Sequence, residues 1–217
     1  MKKSEIPEFI DKVFAEYPDV KCALDFSSPL ELLVASRLSA QCTDVRVNIV
    51  CNELFKKYKT VSDFANADRE ELEKMIFSCG LYRTKARDII AAAKKLEETG
   101  KFPETLEEFC SLPGVGRKIA NLMMGEIYGD PSVVIADTHC IRLSNRLGLC
   151  SSENPVVVEK TLKKILPENT GFHYSHAMDA HGRKVCKSQN PDCENCFISG
   201  YCKFYKDREK KKCNTKK

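Results

Sequence analysis

No stretch of this 217-residue chain stays apolar for the roughly 20 residues that a membrane span needs. The opening MKKSEIPEFIDKVF turns acidic and amphipathic at once and lacks an apolar h-region, so a secretory leader is not expected. Both absences favour the cytoplasm and argue against a membrane partner. β-branched runs are scarce as well: Val133-Val134-Ile135 stands alone and is too short to build a sheet. There is no internal repeat, and no low-complexity segment before a lysine-rich end. A large excess of one charge is also missing, because a formal net charge of +4 does not by itself announce a nucleic-acid partner. Its distribution is uneven. From Lys203 onward eight Lys or Arg face Asp207 and Glu209, an excess of six, which leaves the rest of the chain slightly negative. Such a tail either touches phosphates or remains solvated and disordered, and composition does not choose between them.

What is present is the composition of a folded protein: 42% hydrophobic and 30% charged residues. The apolar pattern has helical spacing almost throughout, and helix starts are marked. Ser28-Pro29-Leu30-Glu31 supplies an N-cap, a proline at the first helical position and a capping glutamate ahead of the apolar run Leu30 to Ala40. Asp68 with Glu71 and Thr105 with Glu108 repeat that spacing, and Asn154-Pro155 opens a later helix bearing Val158, Leu162 and Ile165. Gly80 and Gly100 stand where helices should stop. An all-α fold is expected.

Leu112-Pro113-Gly114-Val115-Gly116 separates a short helix beginning at Thr105 from a run with Ile119, Leu122, Met123 and Ile127 on one face. Two glycines two apart permit positive φ and remove Cβ atoms, so backbone amides can approach an anion. The helix starting there adds unpaired N–H groups and its positive dipole end. An ordinary tight turn is the plain alternative. The preceding Leu-Pro, the following Arg117-Lys118 and the helices on both sides favour a helix-hairpin-helix phosphate grip, which contacts backbone without reading bases. Lys118 falls in the first turn of the second helix, where the dipole disfavours a cation and so favours the neutral amine that a nucleophile requires. Some twenty residues later Asp137 precedes Thr138-His139-Cys140. It is placed to cap a new helix through the amides of residues 139 and 140, with its carboxylate in the space ahead of that helix.

Twelve cysteines in a cytosolic chain suggest metal binding or catalysis rather than disulfides. Cys22, Cys42, Cys51, Cys79, Cys110, Cys140 and Cys150 occur singly and are expected to be mostly small buried hydrophobes, and Cys213 an exposed thiol. Cys186, Cys193, Cys196 and Cys202 form C-x6-C-x2-C-x5-C, with Asn190, Pro191 and Gly200 to supply turns. That spacing suits one metal centre and leaves zinc and a 4Fe–4S cluster equally open.

The segment LPGVGRKIAN, followed by the aspartate of ADTHCIRLSNR, resembles the helix-hairpin-helix signature of the endonuclease III branch of DNA glycosylases. The resemblance runs along nearly the whole chain. It implies that Lys118 is a nucleophile toward the sugar of a flipped-out damaged nucleotide and Asp137 its partner, and that a Schiff base then allows β-elimination. It implies a bifunctional glycosylase and abasic-site lyase acting on oxidised pyrimidines in double-stranded DNA, as a monomer. The same likeness assigns a 4Fe–4S cluster to Cys186, Cys193, Cys196 and Cys202, and a phosphate contact to Lys187. Gln41, in Leu38-Ser39-Ala40-Gln41, matches a residue that fills the gap left by the flipped base, and Leu81, in Gly80-Leu81-Tyr82, one that wedges into the opposite strand. Gly114, Val115, Gly116 and Arg117 match the phosphate-gripping turn. By residue type alone Gln41 is a polar helix end and Leu81 a core leucine. His181 and Arg183 are expected to organise the fold.

The sequence departs from the family pattern at Cys42, Cys140, Ser144 and Ala136, all small residues that read as packing choices. The expected architecture is a six-helix barrel-like domain over 23–131, with the hairpin at about 105–128. The N-terminal residues 1–22 are expected to join 132–217 in a discontinuous domain with the cluster loop 186–202, so that Lys118 and Asp137 face one another across a cleft. The rivals are a base-only mismatch glycosylase, a non-catalytic DNA-binding or redox-sensing protein, and a zinc protein.

Overall fold

The computed structural model describes residues 1–214. After a 3-10 turn at Lys3–Glu5, the amphipathic α1 (Ile6–Glu16) buries Phe9, Ile10 and Val13. Most later helices begin where a short polar side chain satisfies an otherwise unpaired amide. Ser28 Oγ accepts from the Glu31 amide at 3.2 Å and opens α2 (Pro29–Leu38). Seven of its ten residues are buried, as expected of a central helix, but it stops at Leu38, short of Ala40. Thr43 opens α3 (Asp44–Lys57), Thr60 opens α4 (Val61–Ala65), and Asp68 opens α5 (Arg69–Met75). A 3-10 turn, Phe77–Cys79, leads through Gly80 into α6 (Tyr82–Thr99), which ends at Gly100 in the left-handed region. Thr105 and Glu108 cap α7 (Leu106–Cys110) reciprocally, and the hairpin then delivers α8 (Arg117–Tyr128). Asp137 opens α9 (Thr138–Leu147), and Asn154 opens α10 (Pro155–Ile165) with bonds from the Val156 and Val157 amides. The chain closes with α11 (Gly171–Lys184), a 3-10 turn at Ser199–Tyr201 and α12 (Lys203–Asn214).

No strand occurs among the described residues. Val133–Ile135 is buried without forming a strand, and the Ile135 amide donates to Ser175 Oγ at 2.9 Å. No described helix is long and apolar enough to cross a membrane. The basic end is helical as far as Asn214. Bonding between Lys203 and Asp207 one turn apart supports the helix. Lys216 and Lys217 lie outside the described residues.

The chain divides into two compact units, one of Met1–Lys21 with Asp130–Lys217 and one of Cys22–Gly129. In the first, Phe9, Val13 and Tyr17 pack with Cys140, Leu143 and Leu147 of α9, Leu162 of α10, and Tyr174 and Met178 of α11. Two of the departures sit in that core: Cys140 is fully buried, and Ser144 Oγ lies 2.9 Å from the Tyr174 hydroxyl. In the second unit Leu32, Leu38, Leu54, Phe64, Leu72, Ile76, Phe109 and Met123 are almost wholly buried.

All twelve cysteines are free of disulfides, but the expectation that most of the scattered ones are buried needs correction. Cys51, Cys79 and Cys140 are buried, whereas Cys22, Cys42, Cys110 and Cys150 are only partly so. The reason is position: these four lie in connections or at the last residue of a helix, where packing is one-sided.

Candidate nucleic-acid interface and catalytic residues

The turn between α7 and α8 is closed by a bond from the Val115 amide to Leu112 O at 3.1 Å. Gly114 sits at φ +73, and a Cβ there would stand 2.6 Å from Arg37 Nε and 2.7 Å from Asp88 Cβ. Conformation and space therefore both demand glycine. Gly116 is different. Its backbone is extended, with φ −98 and ψ 177, and an added Cβ would meet nothing within 4 Å. Positive φ is thus a property of Gly114 alone. Gly116 contributes bareness: as N-cap of α8 it makes no side-chain cap bond to the first amides, at a helix end suited to an anion.

Uncapped starts are not general in this unit. Side chains cap α2, α3, α4, α5 and α7, and the two helices without such a cap are α6, which starts after Leu81, and α8. Val115 is buried, anchoring the turn, while Lys118 is exposed in the first turn of α8. Burial pushes the nearby Cys22 thiol up to about 11, with the Lys118 charge among those pulling the other way. That thiol is neutral at physiological pH and does not pair with the amine as a thiolate.

Gln41 and Leu81 both lie at positive φ, 55 and 49, a region that costs a residue with a Cβ roughly 1–2 kcal/mol. Among the described residues the two other non-glycine residues there are Asn169 and Asn190, a type that tolerates it. Gln41 is exposed, and Leu81, far from being a core leucine, is 53% exposed. Strained, exposed side chains of this kind gather at ligand-contacting sites.

In the other unit Asp137 caps α9. Its Oδ1 accepts from the Cys140 amide at 2.7 Å, one bond where two were expected. Nine residues further along the same helix Arg146 holds the cysteine-rich loop. It donates to Cys186 Sγ at 3.2 Å, Lys187 O at 2.7 Å and Ser188 O at 2.8 Å. Arg142 adds bonds to Gly182 O and Cys186 O. The Lys187 backbone is thereby fastened while its side chain stays exposed.

Cys186, Cys193, Cys196 and Cys202 line one pocket, together with Arg146, Pro191 and Phe204. Burial pushes the thiols of Cys193 and Cys202 up, and that of Cys196 up to about 11. Backbone amides of Tyr205 and Phe204 oppose this at Cys202, and that of Ile198 at Cys196. Buried sulfurs met by amide donors suit thiolate ligation of a cationic centre. Among the described residues no three His, Cys, Asp or Glu side chains converge closely enough to hold a single ion. Four cysteine sulfurs around one pocket are the donor set that a cysteine-ligated 4Fe–4S cluster requires. His181 is buried beside them, with Nδ1 2.9 Å from the Tyr17 hydroxyl and Nε2 3.3 Å from Cys196 Sγ, whereas Arg183 pairs with Asp179 on the surface. His181 is thus part of the packed interior, while Arg183 pairs within its own helix.

Residues 34–168 match the model of the HhH-GPD superfamily of base excision DNA repair proteins, and residues 186–202 match the iron-sulfur binding domain of endonuclease III. Over 203 residues the chain is 40% identical to endonuclease III of Synechocystis sp., covering 93% of each. The chain belongs to the endonuclease III family. Among solved structures, a non-covalent endonuclease III–DNA complex matches with TM-score 0.90 and 41% identity, over 97% of this chain and 99% of that one. A trapped endonuclease III–DNA covalent intermediate matches with TM-score 0.90 and 41% identity, over 96% and 99%. As a family member the chain is a base excision DNA repair enzyme whose C-terminal segment is an iron–sulfur binding domain.

Four residues that shape this site were given no role by sequence reasoning. Arg37 and Asp88, paired at 2.7 Å, support Gly114 from beneath. Lys85 lies buried under the loops of Gln41 and Leu81. Arg146 clamps the cysteine loop. A signal existed for two of them: Lys85 and Asp88 share helical spacing with the buried Ile89, Ala92 and Leu96, so charges interrupt the apolar face of α6.

Proposed function

We propose that this member of the endonuclease III family is a bifunctional DNA glycosylase and abasic-site lyase for oxidised pyrimidines in duplex DNA, with Lys118 as nucleophile and Asp137 as its partner. The observation carrying this reading is an exposed amine in the first turn of an uncapped helix, directly after a turn whose glycine is sterically obligatory. Amides at that turn hold a phosphate, and the damaged nucleotide rotates out of the stack because its C1′ is otherwise inaccessible. Lys118 Nζ attacks C1′ and the base leaves with a proton, while the Asp137 carboxylate stabilises positive charge developing on the sugar. The nitrogen lone pair opens the sugar to an iminium, which acidifies the C2′ proton. Loss of that proton expels the 3′ phosphate and breaks the strand. A monofunctional enzyme has no need of an amine here. The trapped covalent complex of a relative at 41% identity supports the covalent route.

Gln41 and Leu81 are proposed to occupy the gap and the opposite strand, Gly114 to Arg117 to grip phosphate, and Lys187 to add a contact from the cysteine loop. Cys186, Cys193, Cys196 and Cys202 are proposed to hold a 4Fe–4S cluster with a structural role. Cysteines without disulfides and thiolate ligation also fit work in the reducing cytoplasm, on the nucleoid.

Borohydride reduction on abasic-site DNA tests the assignment, because an imine-forming enzyme becomes covalently attached. Wild type is expected to trap and Lys118→Gln to lose trapping entirely. Trapping of Lys118→Gln at the wild-type level removes Lys118 from this role.

A further inference from the structure

Burying a lysine is expensive, and the side chain of Lys85 is fully buried. Its Nζ donates to Leu38 O at 2.7 Å and to Cys79 O at 2.8 Å. The first acceptor belongs to the last residue of α2 and the second to the last residue of the 3-10 turn ahead of α6. Leu38 O is an orphan of a helix end: the Cys42 amide, four residues on, turns instead to Ser39 O at 3.1 Å. A cation there also complements the negative end of the helix dipole.

Each anchored carbonyl lies at the base of a strained, exposed residue. Gln41, at φ 55, is the third residue after Leu38, and Leu81, at φ 49, is the second after Cys79. Left-handed conformations with a Cβ persist only where the surroundings over-determine them. Here one ammonium fastens both segments at once. Cys42, next to Gln41, and Cys79, two residues before Leu81, interact electrostatically, and burial pushes the Cys79 thiol up to about 11. The two loops thus share one buried polar anchor.

We infer that Lys85 is a positioning residue that couples the Gln41 and Leu81 loops, so that gap filling and opposite-strand wedging occur as one event. This inference rests on the DNA-contacting roles proposed above for Gln41 and Leu81. Lys85 touches no substrate. It acts by holding two backbone segments in register, and duplex processing depends on that register while imine chemistry at Lys118 does not.

Lys85→Met keeps the length of the stem and removes both donors. Strand scission under single-turnover conditions is compared on an abasic duplex and on the same abasic oligonucleotide single-stranded, where there is no opposite strand to wedge and no base-pair stack to fill. Lys85→Met is expected to lose at least about tenfold on the duplex, as for a misplaced positioning group, and less than about twofold on the single strand. In a Gln41→Ala/Leu81→Ala background the same substitution should add less than about a further twofold, because neighbours acting as one unit are non-additive. Equal loss on both substrates, undiminished duplex scission, or full additivity each overturns the coupling. Wild type inactive on both substrates overturns the lyase reading itself, and the coupling with it. Should Lys85→Met fail to fold, amide hydrogen exchange of the wild-type protein decides: one shared opening rate for residues 39–42 and 79–82 supports the coupling, and independent rates overturn it.

Discussion

At the scale of single residues, the hairpin separates two uses of glycine that look the same in the sequence. Gly114 is held at φ +73 with Arg37 and Asp88 pressed against it, so an alanine meets both backbone strain and collision. Gly116 is extended and open, and alanine there loses only N-cap quality. Gly114→Ala is therefore expected to destabilise the protein by at least about 2 kcal/mol, from the left-handed penalty with the displaced ion pair added. Gly116→Ala is expected to cost under about 1 kcal/mol. Chemical denaturation of the two variants measures the difference, and equal losses contradict the assignment. The spacing GxG, with its flanking Leu-Pro and Arg-Lys, made the turn legible in the sequence. Which glycine bears the strain was not, because that depends on Arg37 and Asp88, which reach the turn from two distant helices.

At the scale of elements, capping chemistry was the most readable layer: Ser28, Asp68, Thr105 and Asn154 each start the helix their spacing announces. Local signals of that kind involve partners three residues apart. What supports the hairpin is not local. Asp88 on α6 takes hydrogen bonds from Arg37 on α2, at 3.2 and 2.7 Å, and from Arg87, at 3.1 and 2.9 Å. Burial by itself would push its carboxyl up, but the two guanidinium partners outweigh burial and hold it below the ordinary aspartate value of 3.8. A carboxyl depressed in the folded state contributes stability above its unfolded value and loses that contribution as pH falls through the folded one. Asp88→Asn is thus expected to lower stability by about 3 kcal/mol at neutral pH, typical of breaking a largely buried pair. The gap to wild type should persist down to about pH 5 and close progressively below about pH 4, as the wild-type carboxyl protonates. Unfolding curves for both proteins across that range check the sign, and a gap that widens in acid refutes it.

At the scale of the whole molecule, a net charge of +4 supplies little long-range attraction for DNA, and the excess of six from Lys203 onward leaves the remainder slightly negative. Affinity then depends on a few well-placed phosphate contacts rather than on a basic surface. Lys187 is the contact proposed above from the cysteine loop, and its backbone carbonyl is held by Arg146, which lines the cysteine pocket. Lys187→Ala is expected to weaken binding to damaged and undamaged duplex alike and to reduce the slope of log K against log salt by about 1. Removing iron should produce at least the same reduction, since the loop 186–202 loses its ligand bonds and no longer presents Lys187. Lys118 lies in the other compact unit, so borohydride trapping of single-stranded abasic DNA should survive iron removal. Much of the helical signal in circular dichroism should survive too, because Phe9, Leu143, Leu162, Tyr174 and Met178 form a core from residues outside that loop. Fluorescence anisotropy titrations over a range of salt concentrations read the slopes directly. An unchanged slope in both Lys187→Ala and the iron-free protein would mean that the cysteine loop presents no charge to the phosphate backbone.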